Sequence, residues 1–330
     1  MTPILAMALD IGATKIAGCL VAESGTITEL HTRPTQPIRT PEALSPGSAP
    51  GSVWKSVAAI VEDLSTAAAG RPIAGLGVAC AGPLDLRRGT VSPVNIPQWR
   101  EFPLVERLSA VLPEVPVRLA GDGICAAAGE HWRGGGADSS DMLAIVVSTG
   151  VGGGLVQDGR LTAGPTGNAG HIGHVIVELN GSRCGCGARG CVETMASGPA
   201  MVRWSLANGW TPTAPAPDAV DLATDARNGH STAIEAFARS ARALAAGIAS
   251  VGALCDLTDV VIGGGVAGAA DLLFPPLREG LKHYGTLPFL TDLTIRPAQL
   301  GAAAGLVGAA AMVFEPDVYR SRAALRVSSG

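Results

Sequence analysis

The chain has 330 residues, which is enough for about two domains with sizeable hydrophobic cores. The net charge of −4 comes without any block of Lys or Arg, which argues against a nucleic-acid-binding surface. Ala and Gly produce the mean hydropathy of +0.32, and the longest apolar run, residues 300–314, is too short to span a membrane. No basic segment precedes the first apolar run, so we expect no signal peptide and a cytoplasmic globular protein.

The first motif lies between two short apolar runs near the start of the chain. Residues 4–9 and 16–21 each predict a strand, and Asp10 and the turn Gly12–Lys15 lie between them. In such a hairpin the backbone N–H groups of the turn at Gly12, the Thr14 hydroxyl and the Lys15 ammonium can bind phosphate oxygens. Asp10 can orient a hydrated Mg²⁺. An ordinary hairpin with a solvated Asp10 is the alternative, because short glycine motifs are common.

The same pattern recurs later in the chain. Residues 143–147 predict a strand, the glycine-rich turn Ser148–Gly154 follows it, and residues 155–157 predict the next strand. Thr149 and Gly150 are the residues of this turn that we expect at phosphate. Two strand–turn–strand units indicate a duplicated nucleotide clamp that two domains form together.

A single carboxylate follows another predicted strand. Residues 117–120 predict that strand, and Asp122 lies between Gly121 and the helix predicted for residues 124–132. A carboxylate held at a strand-to-helix junction is well placed to act as a general base in phosphoryl transfer. Asp is also a common helix N-cap, and the residues alone leave both roles open.

Three longer segments predict helices. Residues 53–68 have one apolar face, residues 231–254 are rich in Ala, and residues 300–314 end the patterned part of the chain. Residues 33–52 are rich in Pro, Ser and Thr and predict a surface loop. Residues 259–262 predict a strand that leads into Gly263–Gly265, where glycine lets the backbone approach a base or ribose closely.

The densest chemistry lies between residues 166 and 193. The spacing Cys-x-Cys-x4-Cys, with glycines between the cysteines, is typical of a structural zinc site, and a histidine can supply the fourth ligand. Both upstream histidines are candidates from spacing alone. Buried thiols or a disulfide are the alternatives, although Cys-x-Cys neighbours rarely reach disulfide geometry and an odd cysteine total suits a reducing compartment. The candidate residues are His171, His174, Cys184, Cys186 and Cys191.

Several of these motifs together resemble the ROK family of repressors, open reading frames and sugar kinases. They are DIGATK from Asp10, GDGICAAAGE from Gly121, STGVGGG from Ser148, GNAGHIGH from Gly167 and CGCGARGCVE from Cys184. Kinases of this family phosphorylate the 6-hydroxyl of hexoses with ATP and Mg²⁺. The resemblance implies an α/β, actin/hexokinase/Hsp70-like (ribonuclease H-like) duplicated fold, with two domains around a cleft.

The resemblance also implies roles for individual residues. Asp122 matches the catalytic base, and Gly264 and Gly265 match the adenosine motif. The zinc ligands implied are His174, Cys184, Cys186 and Cys191. The residues implied at the sugar are Gly82, Asn95, Gly121, Asp122, His171, His174 and Glu193.

The expected domain boundaries follow from the same resemblance. Residues 1–120 together with 300–330 would form a smaller nucleotide and sugar domain, which the C-terminal helix closes. Residues 121–299 would form a larger domain with Asp122 and the zinc knuckle. Residues 92–99, SPVNIPQW, resemble a segment that lines the sugar entrance, although simple packing explains Trp99 equally well.

Two departures from the family pattern affect the expected substrate. Gly121 stands where the family has an Asn that reads the sugar 3- and 4-hydroxyls, and His171 stands where the family has a sugar-binding Glu. Loss of an amide removes a donor and an acceptor and opens space. We therefore expect a modified hexose, with the amino sugar kanosamine (3-amino-3-deoxyglucose) as the boldest choice.

Three other functions remain open from the sequence. The chain could be an ordinary glucokinase or N-acetylmannosamine kinase, a sugar-binding protein without catalysis, or a repressor. A repressor would need a DNA-reading segment before Asp10, and we expect none. The expected partners are therefore a hexose and ATP, with no nucleic acid and no membrane. Kinases of the family often form homodimers, although no feature of this sequence indicates one.

Overall fold

The computed structural model describes residues 3–35 and 51–319, which alternate between strands and helices. The strands are β1 Leu5–Ile11, β2 Lys15–Ala22, β3 Ile27–Pro34, β4 Ile73–Cys80, β5 Leu84–Asp85, β6 Thr90–Val91, β7 Val117–Gly121, β8 Met142–Val147, β9 Val151–Gln157, β10 Arg160–Thr162, β11 Asp259–Gly263 and β12 Thr294–Pro297. The helices are α1 Gly51–Ala68, α2 Leu104–Val111, α3 Asp122–Arg133, α4 Glu193–Ala196, α5 Gly198–Ala207, α6 Ala219–Arg227, α7 Ser231–Cys255, α8 Ala270–Tyr284, α9 Pro288–Thr291, α10 Ala304–Phe314 and α11 Pro316–Tyr319.

Two five-stranded sheets repeat one strand order. The first sheet runs β3-β2-β1-β4-β7, and the second runs β10-β9-β8-β11-β12. In the first, β1 pairs antiparallel with β2 and parallel with β4. In the second, β11 pairs parallel with both β8 and β12, and β9 pairs antiparallel with β10. The repeated order agrees with the duplication that the two glycine turns indicate.

The chain divides into two compact units. The first holds the described residues up to Ala137, residues 154–169 and those from Ala302, and the second holds residues 138–153 and 170–301. This division differs from the boundary expected at residue 120. Helix α3 packs on α10 through one glycine of each helix, so residues 121–137 belong with the N-terminal sheet rather than with the unit of residues 138–153 and 170–301.

A glycine contact between α3 and α10 fixes the position of the Asp122 helix. A Cβ atom on Gly308 would lie 1.6 Å from the carbonyl oxygen of Cys125. A Cβ atom on Gly129 would lie 2.3 Å from the carbonyl oxygen of Ala304. No side chain fits at either place, so the two helices meet backbone to backbone. Helix α10 is buried from Ala304 to Met312, as its apolar sequence requires.

The core of the first unit lies between its sheet and helix α1. Val57, Ile60, Val61 and Leu64 are fully buried, which confirms the apolar face predicted for residues 53–68. Of the loop expected at 33–52, residues 36–50 lie outside the described residues. Within the described part of the chain, no helix combines the length and apolar character that crossing a bilayer requires.

Candidate active site and cysteine cluster

Two carboxylates lie at the same edge of the first sheet. Asp10 is the second-last residue of β1, and Asp122 directly follows β7. Both strands are parallel to β4, which lies between them, so their carboxyl ends meet at one edge. Desolvation and, to a smaller extent, the charge of Asp122 raise the pKa of Asp10 to about 6, and the charge of Lys15 opposes both. A cation beside Asp10 would stabilise its charged form.

Asp122 is the first residue of α3, and its side chain is exposed. Its Oδ1 accepts a hydrogen bond of 2.7 Å from the backbone N–H of Gly123. Gly121 holds the N-cap position, so the interpretation of Asp122 as the N-cap is wrong. Helix α3 begins at Asp122, two residues before the predicted start at residue 124, and therefore includes this carboxylate. Because the side chain is exposed and this bond uses Oδ1, the second carboxylate oxygen can be reached by a ligand.

Gly121 is not a glycine that the backbone requires. Its φ of −63° and ψ of 148° are ordinary extended values. A Cβ atom there would find its nearest neighbour, Cδ1 of Ile124, at 3.7 Å, an ordinary contact distance. A larger residue could therefore begin at this position without strain. A Cβ atom directly before Asp122 would thus lie in ordinary contact with the side chains of Ile124 and Leu84.

Hydrogen bonds within the backbone close the first glycine turn, and Thr35 makes further hydrogen bonds to it. The N–H of Gly12 donates to the carbonyl of Lys15 at 3.0 Å. The hydroxyl of Thr35 donates to the carbonyl of Gly12 at 2.7 Å, and the Thr35 N–H donates to the carbonyl of Thr14. The side chains of Thr14 and Lys15 are exposed. The sequence offered no signal for Thr35, which opens a stretch rich in Pro, Ser and Thr.

Two of the expected sugar positions of the first unit, Gly82 and Asn95, lie on one connected loop. The carbonyl of Gly82 accepts from the N–H of Val94, so Gly82 lies beside the segment that carries the exposed Asn95. The amide of Asn168 bonds both the N–H and the carbonyl of Leu84. Asn168 lies within the GNAGHIGH motif, but its residue type and spacing gave no indication of this contact. It braces the turn that follows Gly82.

Trp99 is a core residue. Its side chain is fully buried and stacks on Phe102 with ring centroids 4.2 Å apart. Packing therefore accounts for Trp99, and it lines no entrance. Nη1 of Arg100 donates to the carbonyls of Pro93, Ile96 and Trp99, which closes the loop around Asn95.

The two glycine motifs of the second unit lie side by side. Thr149 is exposed, and the Ser148 N–H donates to the carbonyl of Gly150 at 2.8 Å, which closes the turn. Gly264 has a φ of +93°, and a Cβ atom there would lie 2.3 Å from the carbonyl oxygen of Val147. A Cβ atom on Gly265 would meet only the Ser148 hydroxyl, at 3.8 Å. Close packing on β8 thus explains Gly264, whereas Gly265 leaves a surface open beside Ser148.

The histidine and three cysteines of the knuckle form one cluster, and their ligand atoms all lie within 4.8 Å of one another. Sγ of Cys186 is 3.8 Å from Sγ of Cys191, and Nδ1 of His174 is 3.7 Å from Sγ of Cys184. A tetrahedron with Zn–S bonds of about 2.3 Å has edges of about 3.8 Å, so the donor set fits zinc. All the cysteines are free thiols, which contradicts the disulfide alternative.

The fourth position of the cluster belongs to His174, and its neighbour His171 lies outside. The His171 ring stacks on the His174 ring with centroids 5.9 Å apart, which places it beside the cluster and at the surface. Burial raises the pKa of Cys191 to about 12, whereas the backbone N–H of Ala188 lowers the pKa of the exposed Cys186. A bound cation would favour the thiolate form of all three cysteines.

The model of the ROK family matches residues 6–315. The chain belongs to the ROK family. A glucokinase from Streptomyces coelicolor is 34% identical over 329 residues, with 95% of this chain and 98% of the relative covered. An N-acetylmannosamine kinase from Escherichia coli is 38% identical over 304 residues, with 92% and 96% covered.

A solved ROK structure supports the fold. It is the crystal structure of a ROK family glucokinase from Streptomyces griseus in complex with glucose and AMPPNP, which matches this chain with a TM-score of 0.77 and 31% identity. The match covers 93% of this chain and 98% of that one. The expected actin/hexokinase-like α/β fold is thereby confirmed for this ROK protein.

Proposed function

We propose that this ROK protein is an ATP-dependent kinase that transfers the γ-phosphoryl group to the 6-hydroxyl of a hexose. The pair of carboxylates at the edge of the first sheet carries the proposal. One of them, Asp10, is packed against protein and suits a cation, whereas the other, Asp122, is exposed and suits a substrate hydroxyl. The kinase relatives and the AMPPNP complex of the S. griseus protein support it.

Different residues would accept the proton, hold the cation and bind the phosphates during phosphoryl transfer. Asp122 accepts the proton of the attacking hydroxyl, and the γ-phosphoryl group then bonds to that oxygen while ADP leaves. Asp10 would hold Mg²⁺ through its hydration shell, and the cation would neutralise phosphate charge. Thr14 and Lys15 of the first turn would bind phosphate oxygens. In the second unit, Thr149 and Gly150 offer a second phosphate-binding turn, and the glycines Gly264 and Gly265 offer a flat surface for adenosine.

The cysteine cluster would hold zinc in a structural role. His174, Cys184, Cys186 and Cys191 supply all four ligands, so no position is left for a substrate. The ion would fix the loop that carries His171 and Glu193, which we assign with His174 to the sugar.

The space beside Gly121 supports a modified hexose as the substrate. The backbone does not require glycine there, so the missing side chain is best explained by what must fit next to Asp122. An amino group at position 3 of the sugar, as in kanosamine, would occupy that space. The glucokinase and N-acetylmannosamine kinase relatives make an unmodified or N-acetylated hexose the second candidate.

A panel of hexoses with ATP and Mg²⁺ tests the proposal, with ADP formation as the readout and the product's phosphate position determined by NMR. Asp122→Asn should lower kcat by about 10²-fold or more while sugar binding persists, because the amide cannot accept the proton. Binding of a hexose without any turnover by the unmodified protein would instead support a non-catalytic sugar-binding protein. An Asp122→Asn variant that keeps the normal rate would refute the role of the base.

A further inference from the structure

Glu193 lies directly against the glycine turn of the second unit. Its Oε2 accepts a hydrogen bond of 2.9 Å from the backbone N–H of Val151. A Cβ atom on Gly150 would lie 2.7 Å from the same oxygen, so the carboxylate packs directly against this glycine of the turn. This contact joins residues that are 42 positions apart in the chain.

A second hydrogen bond joins the other end of the turn to the segment that follows Glu193. The N–H of Gly198 donates to the carbonyl of Ser148 at 2.8 Å. The Ser197 N–H donates to the carbonyl of Glu193, so the two anchoring residues belong to one hydrogen-bonded segment. Ser148 and Val151, at the two ends of the turn, are therefore both held by residues 193–198.

This anchoring segment begins at the cysteine cluster. Cys191 is two residues before Glu193, and the N–H of Val192 between them donates to the carbonyl of Val175 at 2.9 Å, next to His174. The second carboxylate oxygen, Oε1 of Glu193, lies 3.9 Å from Sγ of Cys184. One side chain thus contacts both the cluster and the turn.

We propose that Glu193 is a positioning residue for the turn Ser148–Val151, through which the cysteine cluster sets the affinity for nucleotide phosphates. The inference rests on the proposed function, because it takes this turn as a phosphate-binding element. A carboxylate that accepts a backbone N–H holds the amide in one orientation, and the neighbouring N–H and hydroxyl groups of the turn are then pre-organised for an anion. This role is separate from any contact of Glu193 with sugar.

The test compares two variants of Glu193. Glu193→Gln keeps an oxygen that accepts the Val151 N–H, whereas Glu193→Ala removes it. Binding of AMPPNP with Mg²⁺ is measured by calorimetry without sugar, and binding of hexose is measured without nucleotide. We expect Glu193→Ala to raise the Kd for AMPPNP by about 10-fold or more and Glu193→Gln to raise it by about 3-fold or less. Glu178→Ala, an exposed carboxylate near the cluster, is the matched control and should leave this Kd unchanged.

A second readout is independent of ligand affinity. Amide hydrogen exchange at Val151 should accelerate in Glu193→Ala and stay slow in Glu193→Gln and Glu178→Ala. Removal of metal by a chelator should raise the Kd for AMPPNP in the same direction as Glu193→Ala. An unchanged AMPPNP affinity in Glu193→Ala, with only hexose binding lost, would show that Glu193 serves the sugar alone. Failure of the unmodified protein to bind AMPPNP would overturn the proposed function, and this inference with it.

Discussion

Gly305 lies directly against the carboxylate of Asp10, because a Cβ atom on Gly305 would be 2.6 Å from Oδ2 of Asp10. The contact brings the start of α10 against the end of β1. It removes water from one side of the carboxylate, and desolvation is the main reason why the pKa of Asp10 is raised to about 6. The glycine thus allows α10 to pack directly on the residue that we assign to Mg²⁺.

Gly305→Ala should disturb Asp10 without introducing a new charge. The added methyl group forces the carboxylate to move, since the opposing atoms belong to a short side chain with little freedom. We expect kcat/KM for MgATP to fall by about 10-fold or more, equivalent to about 1.4 kcal/mol. Steady-state kinetics at saturating sugar measure this, and hexose binding without nucleotide serves as the control. A normal MgATP dependence would show that Asp10 has no part in nucleotide use.

Asp10→Asn should stabilise the protein without ligand while abolishing turnover. Burial of the charged carboxylate opposes folding, and the rise of the pKa from 3.8 to about 6 corresponds to up to about 3 kcal/mol at neutral pH. The variant should therefore unfold at higher urea concentration at pH 7. Loss of the cation site should remove activity in the same variant.

The gain in folding stability from Asp10→Asn should depend on pH, because the pKa of Asp10 is raised in the folded protein. Below pH 3.8 the carboxyl is neutral in both the folded and unfolded chain, so no difference in stability is expected there. The penalty for unsubstituted Asp10 grows as the pH rises from 3.8 to about 6 and is complete above that value. An advantage of Asp10→Asn that stays the same from pH 4 to pH 7 would contradict the assignment.

Gly121→Asn should change which sugar the kinase prefers. The space next to Asp122 would then hold an amide, which offers a donor and an acceptor to a 3-hydroxyl and crowds a 3-amino group. We expect the ratio of kcat/KM for glucose over kanosamine to rise by about 10-fold or more. Gly121→Ala is the matched control, because its Cβ is tolerated and it adds no polar group. If Gly121→Asn and Gly121→Ala give the same ratio, a residue other than Gly121 determines the sugar preference.

Cys186→Ser should release the metal from the cysteine cluster. Removal of one of four ligands leaves a site that no longer encloses the ion. We expect about one zinc per chain in the unsubstituted protein and a clear loss in the variant, as measured by elemental analysis. Cys255→Ser, whose thiol lies outside the cluster, should keep the metal. If a metal-free preparation had unchanged activity and stability, zinc would have no structural role in this protein.

Local sequence patterns predicted most of the elements that carry the site. The apolar runs around Asp10 and Ser148 are strands joined by tight turns, and the face of residues 53–68 is buried as its periodicity indicates. Ligand spacing similarly placed Cys184, Cys186 and Cys191 together. These features depend on residues that are close in sequence, so pattern alone reveals them. Spacing alone left both histidines open, and the family resemblance favoured His174. His174 lies in the cluster with the three cysteines, and the His171 ring lies beside it.

Contacts between distant residues explain what the sequence could not show. The hydroxyl of Thr35 braces the carbonyl of Gly12, and the carboxylate of Glu193 holds the N–H of Val151. Neither pair has a spacing that a motif could capture. The assignment of residues 121–137 to the first unit likewise depends on the backbone contact between Gly129 and Ala304.

The backbone contact between helices α3 and α10 has a consequence for folding during synthesis. The ribosome releases the helix that starts at Asp122 long before it releases residues 304–314, on which that helix rests. In a nascent chain, helix α3 therefore lacks its packing partner until residues 304–314 have been synthesised. Shortened forms that end before Gly308 should lack activity even though every residue proposed at the reaction centre is present.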